Sequence, residues 1–206
     1  MFALVESGSI TKMLSGNQGI IIDGVQHPRA IYTLWTEAER NAIGIYTVEI
    51  DESKKKDEKW YRNTDITYAF SGGKVTGSYG DATAKAHADT KWTQSEIDAA
   101  EAPEGADTNT VKTKGLKTLL IAQVKSEAES QLNKTDWYIT RKAEKNTAIP
   151  SAISTHRDAV RTKQAEMETA ITNASDTPAL ETLYTYTIQE DGSVTRPIGE
   201  IPRLED

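Results

Sequence analysis

The chain of 206 residues contains no cysteine, which removes disulfides, thiolate nucleophiles and cysteine-held zinc together. Histidine is nearly as scarce: His27, His87 and His156 are all there are. They fall in a loop before Pro28, in a polar stretch and in a helical stretch. No HExxH, Ser-His-Asp order or nucleophile elbow is present, and three such dispersed residues make a poor metal site. Long apolar runs are missing too. None could span a bilayer, and in the opening MFALVESGSI no basic stretch precedes an apolar one, so we do not read it as a secretory signal. Hydrophobic residues make up 37% of the chain, less than is usual for globular domains. Small cores, with some burial against other subunits, are therefore expected.

Basic clusters are lacking as well. The net charge is -7, which repels a phosphate backbone and argues against nucleic acid as a partner. The one basic run, Lys54-Lys55-Lys56, is enclosed by Asp51, Glu52, Asp57 and Glu58 and reads as a solvated turn. In SGGKVTGSYG, Gly73-Lys74 leads into a strand and not a helix, unlike a phosphate loop. DESKKKDE lacks the alternating ligands and central glycine of a calcium loop. No Asp or Glu lies in an apolar stretch that would raise its pKa. The glycosylation triplets at Asn133 and Asn173 read as helix ends. No cofactor is expected.

What is present is a change of periodicity along the chain. Residues 2–5 and 10–14 alternate around Glu6-Ser7-Gly8-Ser9, a hairpin signal. A second short hairpin turns at Asp23-Gly24. Thr36 and Glu39 form a capping-box pattern before a helix over residues 37–43, with Gly44 as its stop. A strand follows over 45–50, and Ser71-Gly72-Gly73-Lys74 joins two more. Residues 81–112 shift to Ala, Asp, Glu and Thr and read as a linker or irregular arm around Trp92. Leu116, Leu119, Leu120, Val124, Ala128 and Leu132 then recur at helical spacing. Thr135-Asp136 reads as the cap of a second short helix, and Pro150 opens a third in which Ile153, Val160, Met167 and Ala174 are spaced by heptads. The expected fold is α+β: a small antiparallel β module with one short helix (1–80), the arm (81–112), a helical hairpin (113–185) and an extended or β tail (186–206).

Features suited to protein contact outnumber those suited to chemistry. Trp35 on the β module and Trp137, Tyr138, Ile153, Val160 and Met167 on the helices are the candidate contact residues. The heptad stripe is narrow enough for one partner helix. Trp137 is expected to plug the open end of the helical hairpin, so that its truncation would cost about 3–5 kcal/mol.

Two blocks carry a resemblance. ALVESGSITKMLSGNQGIIIDGVQHPRAIYTLWTEAERNAIGIYTVE resembles the opening of small proteins encoded beside tail and tail-fibre genes of tailed phages, especially marine ones. LNKTDWYITRKAE and AIPSAISTHRDAVRTK are similar to the second half of phage tail fibre assembly proteins. In those proteins a TDW element precedes a charged helix, a proline and a helix with a pattern matched by His156, Arg157 and Arg161. The resemblance implies a non-enzymatic bacteriophage virion protein of the tail or tail-fibre region, made in the host cytoplasm. Its partners would be other tail or fibre proteins and further copies of itself in a symmetric assembly, without membrane insertion. The chain departs from the assembly proteins by carrying a β module in front and by continuing through Tyr184 and Tyr186. That favours a component kept in the particle over a transient tail fibre assembly chaperone, the first alternative. A small hydrolase acting on host surface polymers is the second.

Overall fold

In the computed structural model, which describes residues 1–204, the first alternating runs pair as an antiparallel hairpin, β1 (Phe2–Glu6) and β2 (Ser9–Leu14). β3 (Ile20–Ile22) and β4 (Val25–His27) form the second hairpin. Its turn places Asp23 and Gly24 both at positive φ, the geometry that matches strand twist in a two-residue connection. Two helical segments follow, α1 (Ile31–Leu34) and α2 (Glu37–Ala42), where one was expected. Thr36 and Glu39 complete the capping box reciprocally. Gly44 ends the turn at φ +81 and leads into β5 (Ile45–Asp51).

β6 (Tyr61–Arg62), β7 (Thr67–Ser71) and β8 (Lys74–Ser78) come next. The main sheet has the order β2-β1-β5-β8-β7. β5 and β8 run parallel, with Val48 opposite Val75, so the sheet is mixed and the expectation of an antiparallel module is corrected. The physical reason is that β8, the second strand of the β7–β8 hairpin, and not β7 lies beside β5, and the two strands of a hairpin run in opposite directions.

Both faces of this sheet are buried, because side chains alternate along each strand. Ala3, Val5, Val48 and Val75 lie on one face with Ile10, Met13, Tyr46, Tyr68 and Phe70 packed against them. β2 and β7 approach each other, so the sheet curls around this cluster. The opposite face carries Leu4, Leu14 and Ile45 with Ile20 and Ile22 of β3 and Ile31 and Tyr32 of α1, and Phe2, Trp35 and Ile43 at the rim.

The chain divides into two compact units, Met1–Thr83 and Ala84 onward. Past β9 (Thr83–Ala84) at the junction, the stretch expected to be irregular carries β10 (Thr90–Lys91), α3 (Gln94–Asp98) and β11 (Val111–Thr113). β10 pairs with β11, and Thr93 and Glu96 form a second capping box. The Lys112 ammonium contacts the Glu96 carboxylate. That contact, with the Thr93 N–H and hydroxyl, holds the Glu96 carboxyl at about 2.

α4 (Leu116–Asn133), α5 (Asp136–Lys145), α6 (Ser151–Asn173) and α7 (Thr177–Tyr184) complete the helical part. α4 starts at Gly115, which offers no capping side chain. Its first N–H groups are met instead by Asp89 Oδ1, 2.7 Å from Gly115 N, and by the Ala86 and His87 carbonyls. Such orphan donors need partners wherever a helix begins. α4 and α6 are antiparallel: Lys117 near the start of α4 bonds the Thr172 carbonyl near the end of α6, and Lys125 meets Glu168 between them. Leu120, Val124 and Ala128 of α4 and Ile153, Val160, Met167 and Ile171 of α6 are buried. Leu119, grouped with the buried stripe from sequence, is 52% exposed.

The chain ends in β12 (Thr187–Ile188) and β13 (Val194–Thr195), paired around an Asp191-Gly192 turn. Ile198 and Ile201 beyond it are buried. Among the described residues, no helix is long and apolar enough to cross a membrane.

Candidate functional site

The residues between α4 and α5 answer what the TDW element does. The Thr135 side chain does not cap α5. Its hydroxyl donates to the Leu132 carbonyl at 3.0 Å and accepts from Arg157 Nη1 at 2.7 Å. The same nitrogen donates to Leu132 O at 2.8 Å and lies 2.8 Å from Asp136 Oδ1. Thr135 is fully buried and Arg157 nearly so. One guanidinium from α6 therefore satisfies the end of α4, the connection and the start of α5. Nη1 carries all of these contacts while Nε is enclosed without a hydrogen-bond partner, and contacts of this kind offset the cost of burying the charge.

Commitment of Thr135 and Asp136 to Arg157 fixes how the rest of α5 is turned. Successive helical residues are rotated by about 100°, and Trp137 turns outward. It is 51% exposed, and Ile139 is 41% exposed. This corrects the expectation that Trp137 plugs the helical pair; Arg157 and Thr135 occupy that place. The Trp137 and Tyr138 rings lie 3.7 Å apart by centroid. Arg141, one turn along, places its guanidinium 4.7 Å from the Trp137 ring centre and 5.3 Å from that of Tyr138. The result is an exposed aromatic face with a cation laid over it. Lys142 and Lys145 continue it toward the end of α5 and are exposed.

The other candidate contact residues separate into two groups. Ile153, Val160 and Met167 are buried along α6, which packs against α4, so the heptad stripe is covered within the chain. Tyr138 is partly exposed beside Trp137. In the first unit Trp35 is half-buried, packs on the rim of the core, and meets His27 edge-on at 5.8 Å. Arg40 donates to its carbonyl.

Sequence reading missed three features. Arg157 stood only within a pattern, with no role given to it. Arg141 was not singled out, although its four-residue spacing from Trp137 is a usable signal. The cross-strand pair Ile188 and Val194, 79% and 59% exposed, was also not identified. Among the described residues, His, Asp and Glu form no group of three placed to hold a metal ion.

Open grooves also lie along the helices. One of about 720 Å³ runs over α6 between Leu132, Arg161, Gln164, Glu168 and Thr172. Its lining mixes polar side chains with a comparable apolar surface and holds no buried titratable cluster among the described residues. The arrangement in this unit is suited to gripping another surface, with stacked aromatics for area and fixed cations for orientation. Compared with known proteins, the chain matches no family model, no curated protein and no solved structure.

Proposed function

We propose that this chain is a non-enzymatic structural protein of a bacteriophage virion, in the tail or tail-fibre region, acting through protein–protein contacts. In this reading the chain is a β module, an arm, a helical hairpin and an extended tail, with contact surfaces on more than one module. The resemblance of its two blocks to tail-associated proteins motivates the proposal. The observation that carries it is the division of labour within TDW. Thr135 and Asp136 hold Arg157, while Trp137 stands 51% exposed under the Arg141 guanidinium. A half-bare tryptophan stacked by a cation is the composition of an interface anchor.

Quantitative mass spectrometry of gradient-purified virions tests this, counting copies against a known tail protein. A fixed ratio in small multiples supports a resident ring or fibre component. Absence from particles, with the protein abundant in infected lysate, sinks the resident role and favours the assembly chaperone. Its fibre client would then be sought by pull-down.

A further inference from the structure

The cationic face on α5 is unusual in a chain of net charge -7. Among the described residues, no carboxylate pairs with Arg141, and its Nε is enclosed without a hydrogen-bond partner. Its guanidinium is held in place by two rings, so a carboxylate arriving there meets a donor already ordered. Glu144 is exposed on the same helix but is not paired with Arg141, and the same unit displays two further unpaired carboxylates close together.

Those anions are in the loop after α3. Glu101 and Glu104 are exposed, flank Pro103 and make no side-chain ion pair among the described residues. The neighbouring acids differ: Glu96 is spent on Lys112 and Thr93, and Asp107 on Thr110. The loop is rooted through β11 and Gly115 at the start of α4, whereas α5 leaves its far end. The 18 residues of α4 span about 27 Å. Free acids and free cations are thus rooted at opposite ends of one helical pair, the arrangement that joins copies in series.

We infer that the Trp137–Arg141 face of one copy receives the Glu101–Glu104 loop of a second copy, giving head-to-tail association. The carboxylates meet Arg141 and Lys142, and the Ala102-Pro103 segment lies on the Trp137 ring. A head-to-tail contact closes into a ring or continues as a fibre. This deepens the assembly reading above and rests on it for biological setting.

Sedimentation velocity of the full chain over a range of concentration and salt tests the inference. We expect self-association that weakens as salt rises. Arg141→Glu alone, or Glu101→Lys with Glu104→Lys, should each weaken it at least about tenfold. All three substitutions together should restore it, with circular dichroism unchanged throughout because these side chains are outside the core. A wild-type chain that stays monomeric overturns the inference. So does a combined variant that associates no better than its parents, or association indifferent to both changes, which would place the contact elsewhere. A monomer found in virions at fixed ratio would sink this contact and spare the assembly reading. A charge-swappable oligomer absent from particles would do the reverse.

Discussion

Arg157 Nη1 and Asp136 Oδ1 are 2.8 Å apart, yet the arginine side chain is 8% exposed and the aspartate 52%. The pair is unequal: one partner is structural and the other is a solvated counter-ion. Arg157→Met should therefore cost about 2–4 kcal/mol, because the Thr135 hydroxyl and Leu132 carbonyl lose a charged donor in a buried place. Asp136→Asn should cost less than about 1 kcal/mol, as exposed pairs do. Urea unfolding of the two variants would check the order, and equal losses would contradict it.

Trp137→Ala should remove about 1 kcal/mol or less, since half of the ring already faces water. Met167→Ala, at a site 1% exposed between α4 and α6, should remove about 2–5 kcal/mol. Parallel thermal melts decide this. A Trp137 variant that melts as early as the Met167 variant would return the tryptophan to the core.

The Glu96–Lys112 contact has a pH signature. Glu96 titrates at about 2, below its ordinary 4.5. Its stabilising effect is therefore complete above about 4.5 and is lost as pH falls through about 2. Lys112 also stacks on Trp92, 4.6 Å from the ring centre, so Trp92 fluorescence should change in that window. Lys112→Ala should move the transition toward higher pH. A Trp92 signal with the same midpoint in both proteins would exclude the linkage.

Gly44 is held at φ +81, and a Cβ there would lie 2.7 Å from the Val5 carbonyl oxygen. Gly44→Ala should cost about 1–3 kcal/mol through backbone strain and that contact. Gly24→Ala, at a similar φ with open space around it, separates the two causes. Unfolding midpoints for the pair should show the larger loss at Gly44.

Local features were the ones legible in sequence. Both N-terminal hairpins, the Thr36–Glu39 box and the extents of α4 and α6 depend on residues a few positions apart. Thr93 and Glu96 carried the same box signature, but the Ala, Asp and Glu around them resembled a linker. Other features depend on distant residues. Asp89 caps a helix whose first glycine lies at position 115, and nothing near Gly115 announces it. The parallel β5–β8 pairing is invisible to alternation, which is the same in either strand direction. The outward turn of Trp137 depends on which neighbour claims Thr135 and Asp136, and that neighbour, Arg157, sits on another helix.

The parallel pairing of β5 with β8 bears on how the first unit can form as it is synthesised. β1 and β5 can meet once Ile45–Asp51 has emerged from the ribosome. The far edge of β5 then waits, with open N–H and C=O groups, until Lys74–Ser78 emerges. Unpaired edges of that kind recruit other nascent chains. The Glu52–Glu58 stretch that trails β5, dense in both charge signs, is what such an edge carries beside it during the wait. Slowing translation at the stage when β5 has emerged and β8 is still inside the ribosome should therefore promote co-translational aggregation, whereas the same delay once β8 has emerged should not.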